Sequence, residues 1–212
     1  MTWSPSAPYN DLPPLPPVAI LETHRVLKHT IEARAALSAV NTSIASLSNP
    51  YVLINSISLL EAQASSEIEN IVTTTDDLFS FAENMGESGD PEVREALRYR
   101  LALFDGIEHL TTRPITTNLA QAMCIRIKGH DMEIRSLPGT FIGNPATGEA
   151  VYTPPVGFVV IQEKLDRWEE FVNNPGTLDP LVAMAVSHYQ FEAIHPFADG
   201  NGRTGRILNV LS

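Results

Sequence analysis

The run HPFADGNGRTGR, from His195 to Arg206, gathers in twelve positions the residue types that handle a polyphosphate. A neutral imidazole such as His195 can take a proton from a hydroxyl. A carboxylate such as Asp199 can hold Mg²⁺ through oxygen. Glycines on either side of Asn201 let backbone N–H groups close on phosphate oxygens where a side chain would obstruct them. Arg203 and Arg206, three apart, share one helix face and can bind phosphate bidentately.

This string resembles the signature of the Fic family, HPFx(D/E)GNGRxxR, with every defined position filled. Eight fixed identities would coincide by chance on the order of 10⁻¹⁰ of the time at any one position. By the resemblance, His195 is the general base for a Ser, Thr or Tyr hydroxyl of a target protein, and Asp199 ligates Mg²⁺. Asn201 and the glycine nest hold the α-phosphate of ATP, and Arg203 and Arg206 take the β and γ groups. The implied nucleotide-binding run is Gly200, Asn201, Gly202, Arg203, Thr204, Gly205 and Arg206. The implied enzyme is a nucleotidyltransferase that leaves AMP on protein and releases pyrophosphate. Doc-type relatives, which phosphorylate, carry Lys where this chain has Gly202, so the resemblance favours AMP transfer.

A second string, SSEIEN, lies far upstream. Ser65, Glu69 and Asn70 match the (S/T)xxxE(G/N) pattern of the inhibitory helix in self-regulated bacterial Fic proteins. Ser65 and Glu69 are i, i+4 and share a face. The resemblance implies that Glu69 pairs with Arg206 and fills the γ-phosphate site. Two other readings stay open. The same glutamate could orient a water that removes AMP, giving a de-AMPylating or bifunctional enzyme. Alternatively the chain is a non-catalytic ATP-sensing module, against which the intact His195 and Asp199 argue.

The elements that must position these residues read as mostly α. Six prolines among residues 1–17 exclude helix and predict an extended arm lying over the domain, anchored by Leu12 and Leu15. Helical spacing runs from Val18 to Leu47 with Ile31 and Leu37 on the apolar face, stops at Asn49-Pro50, and resumes from Val52 to Ile71. Asp76-Asp77 caps a helix from Leu78, and Asp90-Pro91 opens one with a core stripe of Leu97, Leu101, Phe104, Ile107 and Leu110. A further helix spans Asn118 to Lys128, where Cys124 reads as a small buried hydrophobe. Glycine-punctuated residues 134–155 predict a β-hairpin. In the family such a hairpin is a flap, so the resemblance implies that a target segment docks on its edge by strand addition. Val159 to Asn173 is amphipathic, and the helix after Asp179-Pro180 is apolar nearly all round, hence central. It carries His188 as a core histidine and delivers His195; Pro196 stops it, Phe197 plugs the loop into the core, and the last helix begins near Arg203. The expected architecture is a Fic-type helical bundle with a small flap. Its segments are an arm and helix over 1–50, an inhibitory helix over 51–75 and a Fic core over 76–212. Relatives continue with helices over the adenine, so that core is expected to be incomplete at Ser212.

A net charge of −11 argues against nucleic acid or anionic membrane as partners. It also makes the signature arginines more telling. One cysteine excludes an internal disulfide. No apolar run is long enough to span a bilayer, and the N-terminus does not read as a signal peptide, so a cytoplasmic setting is expected. Family members often dimerise, so the resemblance adds a capacity to form homodimers.

Overall fold

A computed structural model describes residues 4–78, 91–144 and 146–212. Its helices are α1 (His24–Ala45), α2 (Pro50–Ile68), α3 (Pro91–Leu110), α4 (Thr117–Lys128), α5 (Phe158–Asn173), α6 (Pro180–Ile194) and α7 (Asn201–Leu211). Strands β1 (Ile142–Gly143) and β2 (Ala150–Tyr152) pair antiparallel between α4 and α5, with Ile142 opposite Tyr152. The mostly α architecture with one small hairpin is therefore as expected. Of the helix expected from Leu78 onward, only a helical turn at 75–78 is described, and the Asp90 cap lies outside the described residues.

Local signals set most boundaries. Asp179 accepts a hydrogen bond from Leu181 N at 3.0 Å, with Pro180 at the first helical position, and so starts α6. Thr116 caps α4 and Gly129, at φ +74°, ends it. The expected start of the first helix needs correction. Thr23 Oγ1 accepts from Val26 N at 3.3 Å, so α1 begins at His24, and residues 18–22 form a strap instead. In that strap Glu22 accepts from Asp179 N at 2.7 Å, and Arg34 of α1 pairs with Asp179 Oδ2 at 2.8 Å. Ile31 and Leu37, expected on a buried face, are exposed.

The core is built from α3 to α7. Trp168 stacks at 5.3 Å on Phe191, which meets Phe197 at 6.3 Å, and all three are buried. Trp168 Nε1 donates to Ser187 O at 3.1 Å, which satisfies the one polar atom of that ring. On α3 the inward face is Tyr99, Ala102, Leu103 and Gly106, while the expected stripe residues Leu101 and Ile107 are exposed. The reason is close packing: a Cβ at Gly106 would collide with Met123 and Leu211. A stripe of small residues lets α4 and α7 approach where leucines would hold them off. Polar bonds then dock α2 on α3. Tyr99 donates to Glu61 at 3.0 Å, and Arg100 donates to Ser58 and Asn55 at 3.0 and 2.7 Å.

The arm lies on the domain as expected. Leu12 is buried, Gln190 Nε2 donates to Pro13 O at 2.9 Å, and Lys164 Nζ donates to Leu12 O at 2.8 Å. Its start runs beside the hairpin, with Tyr9 N donating to Thr153 O at 3.0 Å and Thr153 Oγ1 to Pro5 O at 2.7 Å.

Candidate active site

The buried apolar body of α6 fixes where its last residue ends up. That cap residue is His195, at φ +51°. A left-handed conformation costs a residue with a side chain about 1–2 kcal/mol. Arg135 offsets this. Its Nε donates to His195 O at 2.6 Å and its Nη2 to Ile194 O at 2.8 Å, while its own N–H donates to Pro196 O at 2.9 Å. The orphan carbonyls of the helix end are thus gripped by one buried guanidinium. The ring's Nδ1 donates to Glu192 O at 3.3 Å, which places the neutral imidazole's lone pair on Nε2. Burial, with Arg135 close by, holds the imidazole below its ordinary pKa. The group is therefore set up as a base at neutral pH.

The loop after His195 is cinched by Asn201. Its Oδ1 accepts from Phe197 N and its Nδ2 donates to Phe197 O, each at 2.8 Å. Both polar ends of the side chain face the loop backbone, so any phosphate contact at this position falls to main-chain N–H groups. Gly200, at φ +81°, makes the turn into α7, which starts at Asn201 and not near Arg203. Arg203 also differs from expectation. Its side chain is only 1% exposed, with Nη1 on Glu95 Oε1 at 2.7 Å, and it anchors the first turn of α7 instead of facing solvent. Glu95 also accepts from Lys128 Nζ at 3.0 Å, and Lys128 in turn pairs with Asp199 Oδ2 at 2.7 Å. Burial works against the charge on Glu95 and Asp199, yet these partners hold both carboxyls below their ordinary range. Cys124 packs beneath, its thiol donating to Asp199 O at 3.3 Å and pushed by burial up to about 11. That is an inert, structural cysteine.

The upstream string meets the signature here. Arg206 Nε donates to Ser65 Oγ at 2.7 Å, and its Nη2 donates to Ser65 O and Glu69 Oε1, both at 2.8 Å. Glu69 is the C-cap of α2, and Asn70 follows at φ +61°. Asn70 N donates to Glu67 O and Ile71 N to Ser66 O, which closes the helix and turns the chain away. The G/N of the pattern is thus a backbone requirement, since these two residue types tolerate the left-handed region best. A Cβ on Gly202 would collide with the Glu69 carboxylate. The carboxylate therefore lies against the first turn of α7, where the partial positive charge of a helix N-terminus attracts anions.

Sequence reasoning missed Glu95, Lys128 and Arg135, which come from helices and loops far from either string. Glu192 was missed too, although it lies three residues before His195. Its Oε1 is buried against Gly205 without a hydrogen-bond partner, and burial pushes its carboxyl up to about 7. His188 Nδ1 is likewise buried without a partner. Among the described residues no group of three His, Cys, Asp or Glu side chains is placed to hold a metal ion. The hairpin is fastened near the site by Tyr152, whose hydroxyl donates to Ala193 O at 2.8 Å. The outer faces of Phe141 and Val151 are exposed. A cavity of about 790 Å³ lies elsewhere, between the arm, α1 and α6, and includes no residue of either string.

Fold and site together define a helical protein with a glycine-containing loop that leads into a helix N-terminus. Residues 107–212 match the Fic/DOC family and residues 27–108 match the Fic/DOC family N-terminal region, so the chain belongs to the Fic/DOC family. Among curated relatives, it is 41% identical over 56 residues to protein adenylyltransferase fic-1 of Caenorhabditis elegans, covering 26% of this chain and 11% of that protein. It is 34% identical over 84 residues to protein adenylyltransferase Fic of Drosophila melanogaster (39% of this chain, 16% of that protein). It is 41% identical over 61 residues to a probable protein adenylyltransferase of Aquifex aeolicus (28% and 18%). These relatives span animals and bacteria, and the chain spans less than a fifth of each. In structure it resembles a Fic family protein of Desulfovibrio desulfuricans G20, with a TM-score of 0.73, 24% identity, and 92% of this chain and 58% of that one covered. It also resembles Fic-1 of C. elegans, with a TM-score of 0.64, 20% identity, and 88% and 58% covered. Those two likenesses bear on the fold. No described helix is long and apolar enough to cross a membrane.

Proposed function

We propose that this chain is a protein adenylyltransferase held in check by Glu69, transferring AMP from ATP to a Ser, Thr or Tyr hydroxyl. The names of its curated relatives support the activity. The observation that carries the reading is the seat of Glu69, against Gly202 at the start of α7 and on Arg206 at 2.8 Å. A carboxylate there occupies an anion's place and neutralises the arginine that the anion would need.

In the proposed reaction His195 Nε2 accepts the proton of the target hydroxyl as its oxygen attacks the α-phosphorus. The bond from that phosphorus to the bridging oxygen breaks, and pyrophosphate leaves. Backbone N–H groups of Asn201 and Gly202 hold the α-phosphate, and Arg206, released from Glu69, takes the terminal phosphates. Arg203 keeps the α7 N-terminus in place from within. Asp199 suits Mg²⁺: it is an oxygen donor 62% exposed beside the phosphate nest, and Mg²⁺ uses one or two carboxylates plus substrate phosphates. Bound there, the ion would neutralise charge developing on the leaving group. The exposed edge of the hairpin would receive an extended target segment. A cytoplasmic setting suits a chain with one buried thiol and ATP as substrate.

The test is transfer of label from α-labelled ATP with Mg²⁺ to protein. Glu69→Gly should raise incorporation at least tenfold, and His195→Ala in that background should abolish it while nucleotide still binds. Equal incorporation with and without Glu69 would remove the inhibitory reading.

A further inference from the structure

Lys128 contacts the site without belonging to either sequence string. It is the last residue of α4, and its stem crosses Gly200 so closely that an added Cβ there would touch Cγ and Cδ at 3.5 Å. Its Nζ stands 2.7 Å from Asp199 Oδ2 and 3.0 Å from Glu95 Oε1. The other Asp199 oxygen, Oδ1, accepts the Gly200 N–H. Both oxygens of the carboxylate are therefore engaged, and one of them by a cation that is itself only 16% exposed.

We propose that Lys128 is a positioning residue that competes with the divalent cation for Asp199. In the metal-free protein its ammonium holds the carboxylate in register. It gives up Oδ2 when the metal ion enters and keeps Glu95 as its partner. The inference rests on the reading of Asp199 as the metal carboxylate. Glu95 makes the exchange workable, because an ammonium left unpaired in a half-buried position would be strongly destabilising. Glu95 already accepts from both Lys128 and Arg203, so a bond to Lys128 persists after the exchange. A metal ion arriving alone gains one carboxylate and must displace a cation. An ion arriving on a nucleotide brings phosphate ligands with it. The site therefore disfavours bare metal and favours loading of metal and nucleotide together.

The experiment uses the full ¹⁵N-labelled chain without nucleotide, with Mn²⁺ as the probe, and reads paramagnetic broadening of the Gly200 amide signal. Lys128→Gln should reach half-broadening at roughly three- to fivefold lower Mn²⁺ than wild type, the worth of a partly exposed ion pair. Lys128→Arg, which keeps the cation, should behave as wild type, whereas a purely packing role would let Gln and Arg act alike. Lys128→Met serves as the second neutral variant if the Gln protein does not fold. Asp199→Asn should abolish site-specific broadening. Equal midpoints for wild type and Lys128→Gln, with the Asp199→Asn effect intact, would overturn the role of Lys128 and leave Asp199 standing. Broadening that survives Asp199→Asn would overturn both.

Discussion

His195 is held by its backbone more than by its ring. Two carbonyls at the end of α6 are fixed by Arg135, and the imidazole needs only one weak bond, to Glu192 O at 3.3 Å, to set its tautomer. Because burial lowers its pKa, the base stays unprotonated through neutral pH. In the Glu69→Gly background, the acidic limb of the kcat/KM profile should therefore fall below the ordinary imidazole range, near 6.5. A limb above that value would contradict the burial argument. Glu192 titrates in the opposite sense. Its carboxyl is raised from an ordinary 4.5 to about 7, so between those values the folded state binds more protons than the unfolded state. The stabilisation from its neutral form is complete below the lower value and is lost as pH rises through the upper one. Its contribution has a slope of up to about −1.4 kcal/mol per pH unit in that window. His195 contributes with the opposite sign in wild type and variant alike, so urea unfolding at pH 5, 6 and 7 should show a wild-type slope more negative than that of Glu192→Gln by the Glu192 contribution.

The elements act through their ends. The pairing of Glu69 depends on α2 stopping where it does, and Asn70 at φ +61° stops it. Asn70→Gly should be nearly silent in thermal melting, and Asn70→Ala should lose about 1 kcal/mol and raise basal transfer, since the cap that orients Glu69 is strained. The same two changes appearing in Asn70→Gly would mean that the side chain, and not the backbone conformation, sets the cap. At the end of α6, Arg135→Met leaves the carbonyls of Ile194 and His195 without their donor and should cost about 1–3 kcal/mol. It should lower kcat more than it weakens nucleotide binding, which isothermal titration can separate.

The element scale also shows what could be read in advance. The spans of α4 and α5 were legible from their apolar spacing, within a residue at the N-terminal end, and α6 from Asp179-Pro180 at its start. The two strings could be found because their residue types are dictated by chemistry. The contact between Arg206 and Glu69, 137 positions apart, followed from resemblance and not from spacing. The start of α1 misled because Val18 and Ile20 look like a helix face, whereas Thr23 provides the cap and Glu22 is drawn off to Asp179. Arg203 misled because a signature states which residues are needed and not which way they point. Glu95, Lys128 and Arg135 carry no local mark, since a lone charged residue on a helix ordinarily faces water.

Over the whole molecule, the arm is part of the fold. Leu12→Ala should destabilise the chain by about 2–5 kcal/mol in urea unfolding, since it removes a buried side chain from the core cluster. A loss under 0.5 kcal/mol would mean that the arm merely rests on the surface. The arm also backs the hairpin, through Pro5 O and Thr153 Oγ1, which lie 148 positions apart in the chain. On a ribosome adding about 5–20 residues per second, the arm emerges roughly 7–30 s before its partner strand exists. Until then the Pro5 carbonyl has no Thr153 hydroxyl to accept from. The arm and the strand it backs are therefore joined late, by a contact that local folding of either segment cannot supply.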